Sequence, residues 1–281
     1  MCRLFGFRSS VESHVHQSLV AAENALIRQS EKHPDGWGVA YYVHAYPHLF
    51  RSAERAMGSG LFREVSGVVA TYTLLAHIRR ATVGDVTLLN CHPFQFANWV
   101  FAHNGEVGGF AESADVRAAL RDEVDERFRP YILGTTDSEI CFYVFLSLLG
   151  RRVDGIHSRG VDIGVASDCM RTAADRIRAV GQRVGGKPSV LTFIATNGNL
   201  MVGYREGREL FFSTYKTRCS ERDTCSAFDA ERCETEVPQG KLVKHLVLAS
   251  EHIAENPNVW RPVGEATAVG VDWGMRLFVG G

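Results

Sequence analysis

No apolar run in this chain is long enough to cross a bilayer. The longest, Ile140 to Leu149, has ten residues and contains Ser147, where a spanning helix needs roughly 20. At the start, Arg3 and Arg8 bracket Leu4 to Phe7, so no secretory leader is expected. Neither sign of charge dominates. Lys and Arg number 31 against 32 Asp and Glu, a formal net charge of -1, and basic residues pair (Arg79-Arg80, Arg151-Arg152) without forming a run. A polyanion-binding surface as the main role is thereby excluded, and neither nucleic acid nor membrane is expected as a partner. Closely spaced cysteine pairs are also missing. The seven cysteines, at 2, 91, 141, 169, 219, 225 and 233, are odd in number and scattered, which suits reduced thiols in a cytoplasmic protein. Cys219, Cys225 and Cys233 lack the short Cys-x(2–4)-Cys spacing of structural zinc. His14, His16, His44 and His48 alternate without a third-ligand pattern and read as solvated surface. Nothing calls for a metal or a cofactor. There is no internal repeat, no linker and no regular strand–helix alternation, so residues 1–281 read as one domain with a large core.

What is present is a cysteine directly behind the initiator methionine. Aminopeptidases remove Met1 before a small side chain, which would leave Cys2 with both a thiol and a free α-amine. Their ordinary pKa values, about 8.5 and about 7.7–8.0, leave both partly deprotonated near neutrality. One residue can then supply nucleophile and general base together.

Periodicity predicts strands at Cys2 to Phe7, Val39 to Tyr42 with a partner at 48–51, Val68 to Ile78, and a hairpin from Phe94 to His103 turning at Ala97-Asn98. Helices are expected over Ser18 to Gln29, Arg55 to Val65, Ala114 to Asp125, Ser138 to Leu149 with Asp137 as its cap, and Asp168 to Val180. Strands resume at Val190 to Ala195, Leu200 to Arg205, Glu209 to Tyr215, Val243 to Ser250 and Ala266 to Val279. Asn197-Gly198 offers a hairpin turn, and the polar stretch Thr217 to Gly240 is expected to be surface loop. This order favours α+β sheets covered by helices.

Taken singly, the remaining signals are ordinary. Asn104-Gly105 reads as a turn, Arg79 as a salt-bridged surface residue and Asp137 as a helix cap. Cys91-His92 invites a thiol–imidazole pair, but neighbours in extended chain point to opposite faces.

Taken in order, five stretches resemble the class II glutamine amidotransferases of the N-terminal-nucleophile hydrolase superfamily: Cys2 with its strand, His33 to Gly38, His77-Ile78-Arg79-Arg80-Ala81-Thr82, His103-Asn104-Gly105, and Thr136-Asp137-Ser138-Glu139. The resemblance implies a four-layer αββα sandwich of two mainly antiparallel sheets. It implies Cys2 as nucleophile and, through its amine, base, with Asn104 and Gly105 as the oxyanion hole. It implies Arg79 and Asp137 as the holders of the substrate α-carboxylate and α-ammonium. The loop Asp35-Gly36-Trp37-Gly38 would shape the pocket wall, and His77 and Thr82 would hold the arginine loop. The reaction implied is glutamine amide hydrolysis through a cysteinyl thioester. The chain departs from synthase-linked members at Arg80 and Val83 and is more similar to the stand-alone subfamily. Because 281 residues leave no room for a synthase domain, three outcomes are expected to compete: ammonia handed to a synthase partner, simple glutamine hydrolysis, or cleavage of a γ-glutamyl peptide or thiol metabolite. A non-catalytic regulatory or scaffolding subunit is the alternative outside enzymology. Assembly as a homo-oligomer stays open.

Overall fold

Strand parity decides which residues meet in this molecule. The computed structural model describes residues 2–14, 17–21, 25–158, 160–253 and 257–280. In chain order they form β1 (Arg3–His14), a π-helical turn (Gln17–Ala21), α1 (Leu26–Gln29), β2 (Trp37–Val43), β3 (Tyr46–Ser52), α2 (Gly60–Val68), β4 (Ala70–Ile78), β5 (Phe94–Phe96) and β6 (Trp99–Glu106). Then come α3 (Ala114–Asp122), α4 (Asp137–Leu149), α5 (Ile163–Val180), β7 (Val190–Thr196), β8 (Met201–Arg205) and β9 (Phe211–Ser213). The last elements are α6 (Ala230–Cys233), β10 (His245–Ala249), β11 (Arg261–Pro262), β12 (Thr267–Val271) and β13 (Leu277–Gly280).

Two antiparallel sheets result, one ordered β11-β9-β10-β1-β4-β2-β3 and the other β13-β12-β8-β7-β6-β5. Along β1, Leu4 enters the core between the sheets while Phe5 enters the core beneath α1 and α2. Along β6, Val100 and Ala102 face the first sheet while Phe101 packs under the central helices. Period-two alternation thus builds three apolar layers among four structural ones, the expected αββα sandwich. Tyr42 pins the sheets together, its hydroxyl lying 2.7 Å from the Asn98 carbonyl and 3.0 Å from that of Thr196.

The helices depart from expectation in instructive ways. Where one helix was expected over Ser18 to Gln29, a π-turn and the four-residue α1 appear, with 22–24 outside the described residues. Leu19, Leu26 and Ile27 are nonetheless buried as their spacing requires. Helix α2 begins later than Arg55 because Ser59 caps it, accepting from the Phe62 amide at 3.3 Å. In α4 the cap is Thr136, whose hydroxyl accepts from the Glu139 amide; Asp137 is the first helical residue. All 13 residues of α4 are buried, as expected of a helix that is apolar all round. Helix α5 starts at Ile163, capped by Asp162. The stretch 217–240 is loop apart from α6.

Candidate active site

Parity carries three of the sequence-predicted residues to one place. Cys2 immediately precedes β1, two residues before inward-facing Leu4, and Asn104 lies two residues after inward-facing Ala102 on β6; Arg3, next to Cys2, lines one cavity with Asn104. Arg79 follows β4 in the inward register of Leu75 and His77.

The Cys2 thiol engages the main chain of Arg80, accepting from its amide at 3.3 Å and lying 3.4 Å from its carbonyl oxygen. Burial pushes this thiol above its ordinary pKa; the Arg80 amide and the Arg79 charge pull the other way, and Asp137 adds to the rise. A raised thiol is mostly protonated at neutral pH, so it becomes a nucleophile only with a base nearby.

Arg79 is buried and bonded to its own loop. It donates to the carbonyls of Asp85 at 3.0 Å, Val83 at 3.0 Å and Gly84 at 3.2 Å, which leaves two of the five guanidinium donors. The loop is braced by Asp35, which accepts from the Ala81 amide at 2.9 Å, and by Asn90, which donates to the Asp85 carbonyl at 2.9 Å. Gly36 contributes its carbonyl, which accepts from the Arg79 amide at 2.8 Å. His77 and Thr82 do not hold this loop. Thr82 is exposed, and the His77 ring packs on His92 with centroids 4.2 Å apart. Trp37 is likewise no pocket wall. It is fully buried on the helix side of the first sheet, edge-on to Phe62 at 5.0 Å, because odd positions of β2 face outward.

Asp137 is buried and ties α4 to the end of β6. One oxygen accepts from the Val107 amide at 2.7 Å, the other from the Ser138 amide at 2.8 Å. His103 lies outward, with Nε2 3.0 Å from the Val190 carbonyl and Nδ1 2.9 Å from the Ser138 hydroxyl. A carbonyl can only accept, so Nε2 carries the proton and Nδ1 accepts from Ser138. Burial holds this ring below its ordinary pKa, and its bonds make it a brace, turned away from Cys2 by strand alternation. The brace explains Gly105. A Cβ there would fall 1.8 Å from the Val190 oxygen and 2.4 Å from His103 Nε2. Close approach, not an unusual φ, demands glycine, since Gly105 is not among the positive-φ residues.

Asn104 is buried, yet its carboxamide makes no hydrogen bond among the described residues. It lines a cavity of about 590 Å³ together with Arg3, Arg208, Glu209, Glu251 and His252. The sequence reading missed this side of the site. Its residues come from three distant segments that only the pairing of β1 with β10 and of β7 with β8 assembles. A second cavity, about 450 Å³, lies on the outer face of the first sheet under the segment bearing Cys219, Cys225 and Cys233. Cys91 and His92 diverge as alternation requires: the thiol lies 3.3 Å from the Ser52 carbonyl while the ring meets His77. Among the described residues no group of His, Cys, Asp or Glu is arranged to hold a metal, and no helix is long and apolar enough to cross a membrane.

Comparison with known proteins adds to this geometry. The family model for class II glutamine amidotransferases matches residues 1–261. A Saccharomyces cerevisiae protein, "Probable glutamine amidotransferase DUG3", is 26% identical over 226 residues, 72% of this chain and 62% of its own length. The "Gamma-glutamyl-hercynylcysteine sulfoxide hydrolase" of Mycobacterium tuberculosis is 34% identical over 116 residues, 38% of this chain and 50% of that one. In both, the match covers less than two thirds of the relative's own length. The solved structure of a glutamine aminotransferase class-II domain protein from Silicibacter pomeroyi superposes with a TM-score of 0.65 at 18% identity, covering 99% of this chain and 98% of that one. That likeness is one of fold.

Proposed function

Since the chain belongs to the class II glutamine amidotransferases, we propose that it is an amidohydrolase whose nucleophile is Cys2, exposed as the amino terminus once Met1 is removed. Its αββα arrangement is the N-terminal-nucleophile hydrolase fold. One observation carries the proposal: Asn104, whose carboxamide makes no hydrogen bond among the described residues, lines a cavity together with Arg3, the residue that follows Cys2.

The Cys2 amine takes the thiol proton, and the sulfur attacks the γ-carbonyl of a glutamyl group. Negative charge developing on the carbonyl oxygen is met by the Asn104 carboxamide and the Gly105 amide, donors fixed before reaction. The protonated amine then gives its proton to the leaving nitrogen, and the C–N bond breaks to leave a γ-glutamyl thioester. Water, deprotonated by the same amine, attacks the thioester, releasing glutamate and restoring the thiol. The two free donors of Arg79 take the substrate α-carboxylate, and the remaining lone pairs of Asp137 take the α-ammonium. Burial raises the thiol pKa, which is why the mechanism needs the amine as a base. All seven cysteines are free, in keeping with a reducing cytoplasm.

Two leaving groups compete, ammonia from glutamine and an amine from a γ-glutamyl compound. The cavity favours the second. Its volume of about 590 Å³ far exceeds the roughly 30 Å³ share of one water-sized molecule, and one named relative is a γ-glutamyl hydrolase. The test is purified Cys2→Ala assayed for glutamate release from glutamine and γ-glutamyl compounds. We expect a loss on the order of 10⁴-fold or more. Undiminished release would sink the proposal.

A further inference from the structure

The charged wall of the 590 Å³ cavity contains Arg3, Arg208, Glu209 and Glu251. Two of them cancel, since Arg3 Nε lies 2.8 Å from a Glu251 carboxylate oxygen. Arg208 makes no ion pair and no side-chain hydrogen bond among the described residues. It is half-buried, whereas Glu209 is exposed at the rim, so solvent screens the carboxylate more than the guanidinium. Glu106 feels the Arg208 charge, but no hydrogen bond among the described residues occupies the guanidinium, so its donors stay open to a ligand.

That cation stands on a rigid mount. Arg208 follows the turn at Gly207, whose φ of 82° suits glycine, and the Gly207 amide donates to Glu265 at 2.7 Å. The Thr192 hydroxyl accepts from the Arg208 amide at 3.3 Å and lies 3.0 Å from its carbonyl. Thr192 is in turn the cross-strand partner of Asn104. Arg208 is therefore anchored on the side chain of the residue paired with Asn104, and both line the one cavity. The side is also right. Strand β1 has β4, leading to Arg79, on one flank and β10, leading to Ser250 and Glu251, on the other. A glutamyl group held on the Arg79 flank must send its amine half toward the opposite one.

We infer that Arg208 is a specificity residue that binds a carboxylate on the amine half of the substrate, making γ-glutamyl amino acids and short γ-glutamyl peptides the preferred substrate class. This rests on the Cys2 reading above and extends it from the bond cleaved to the group released. The guanidinium fork suits a carboxylate geometrically, and the charge-assisted pair gains strength from partial burial.

The experiment compares kcat/KM for γ-L-glutamylglycine and γ-L-glutamylmethylamide, which share a scissile bond and differ by the carboxylate. Both are read on the same preparation, so any loss of folded protein cancels in the ratio. The wild-type ratio should be about ten or more, the effect of one good charged hydrogen bond. Arg208→Gln should bring it to near one, mainly through KM, and Arg208→Lys should keep part of it. A wild-type ratio near one, or a ratio unchanged in Arg208→Gln, would overturn the inference while leaving the Cys2 mechanism standing. Full turnover by Cys2→Ala would instead remove the mechanism beneath it.

Discussion

On the flank of β1 that carries β4, the charged groups are already bonded by the protein. Arg79 donates to three carbonyls and Asp137 accepts from two amides. On the flank that carries β10, Arg208 stands half-buried with no side-chain hydrogen bond or ion pair among the described residues, only the field of Glu106, while Arg3 in the same cavity is taken by Glu251. The contrast separates two uses of charge. A charge satisfied by main chain fixes a loop, and losing it costs folding free energy. A charge held on a firm turn and left open costs little to remove and is available to a ligand.

The sharpest way to break this comparison is to remove each arginine and measure stability. Arg79→Gln would remove the charge-assisted hydrogen bonds to the part-buried carbonyls of Val83, Gly84 and Asp85, at about 3 kcal/mol. Arg208→Gln should change stability by less than about 0.5 kcal/mol. Urea unfolding midpoints report both. Similar shifts for the two variants would erase the distinction between a bonded wall and an open one.

A second test uses pH. Near Cys2, burial pushes His77 down to about 3 and His33 down to about 4, and in the outer cavity it pushes His245 down to about 3. The unfolded chain protonates these rings near 6.5, while the folded one resists until far lower. Between those values the unfolded state binds more protons, so stability rises with pH and is lost as pH falls below about 6.5. Each such histidine contributes a slope of about 1.4 kcal/mol per pH unit in that window. Burial raises the carboxyls of Glu106 and Glu139, which act with the opposite sign and reduce the net slope. The urea midpoint should therefore drop between pH 7 and 5.5. A flat or rising midpoint would mean that these rings gain partners on protonation and that the wall near Cys2 is less closed than its geometry indicates.

How much of this was readable beforehand follows from where each group sits in the chain. Cys2, Asn104 and Gly105 were legible as candidates only through the ordered motifs they belong to; read singly, Asn104-Gly105 is a turn, whereas the structure carries it within β6. Arg79 and Asp137 were legible as residues but not as bonded ones. Their partners at 83–85 and at Val107 are main-chain groups, which any sequence supplies. Trp37 was misplaced because a loop motif carries no parity until the strand it enters is known; β2 turns it outward onto Phe62. The loop brace Asn90 carries no pattern that marks it, and Asp35 was marked only as part of the His33 to Gly38 stretch, not as a brace. The helix over Ser18 to Gln29 failed because an apolar stripe reports burial and not continuity. Arg208 was invisible for a different reason: it becomes a neighbour of Arg3 and Glu251 only after two sheets have formed.

The smallest expected effect bears most directly on the open flank. The Arg3–Glu251 pair is partly exposed, with side-chain exposures of 19% and 47%, so it should contribute only about 0.2–1 kcal/mol to stability. Glu251→Gln would free Arg3 beside the cavity and place a second cation near the carboxylate that Arg208 is inferred to hold. The ratio of kcat/KM for γ-L-glutamylglycine over γ-L-glutamylmethylamide should rise about two- to three-fold, within the range of a screened surface charge. The gain should shrink as salt is raised, because the Debye length falls to about 3 Å at 1 M. A ratio that falls in Glu251→Gln would reverse the assignment of this flank. It would show that the cavity reads a positive group with Glu251 rather than a negative one with Arg208.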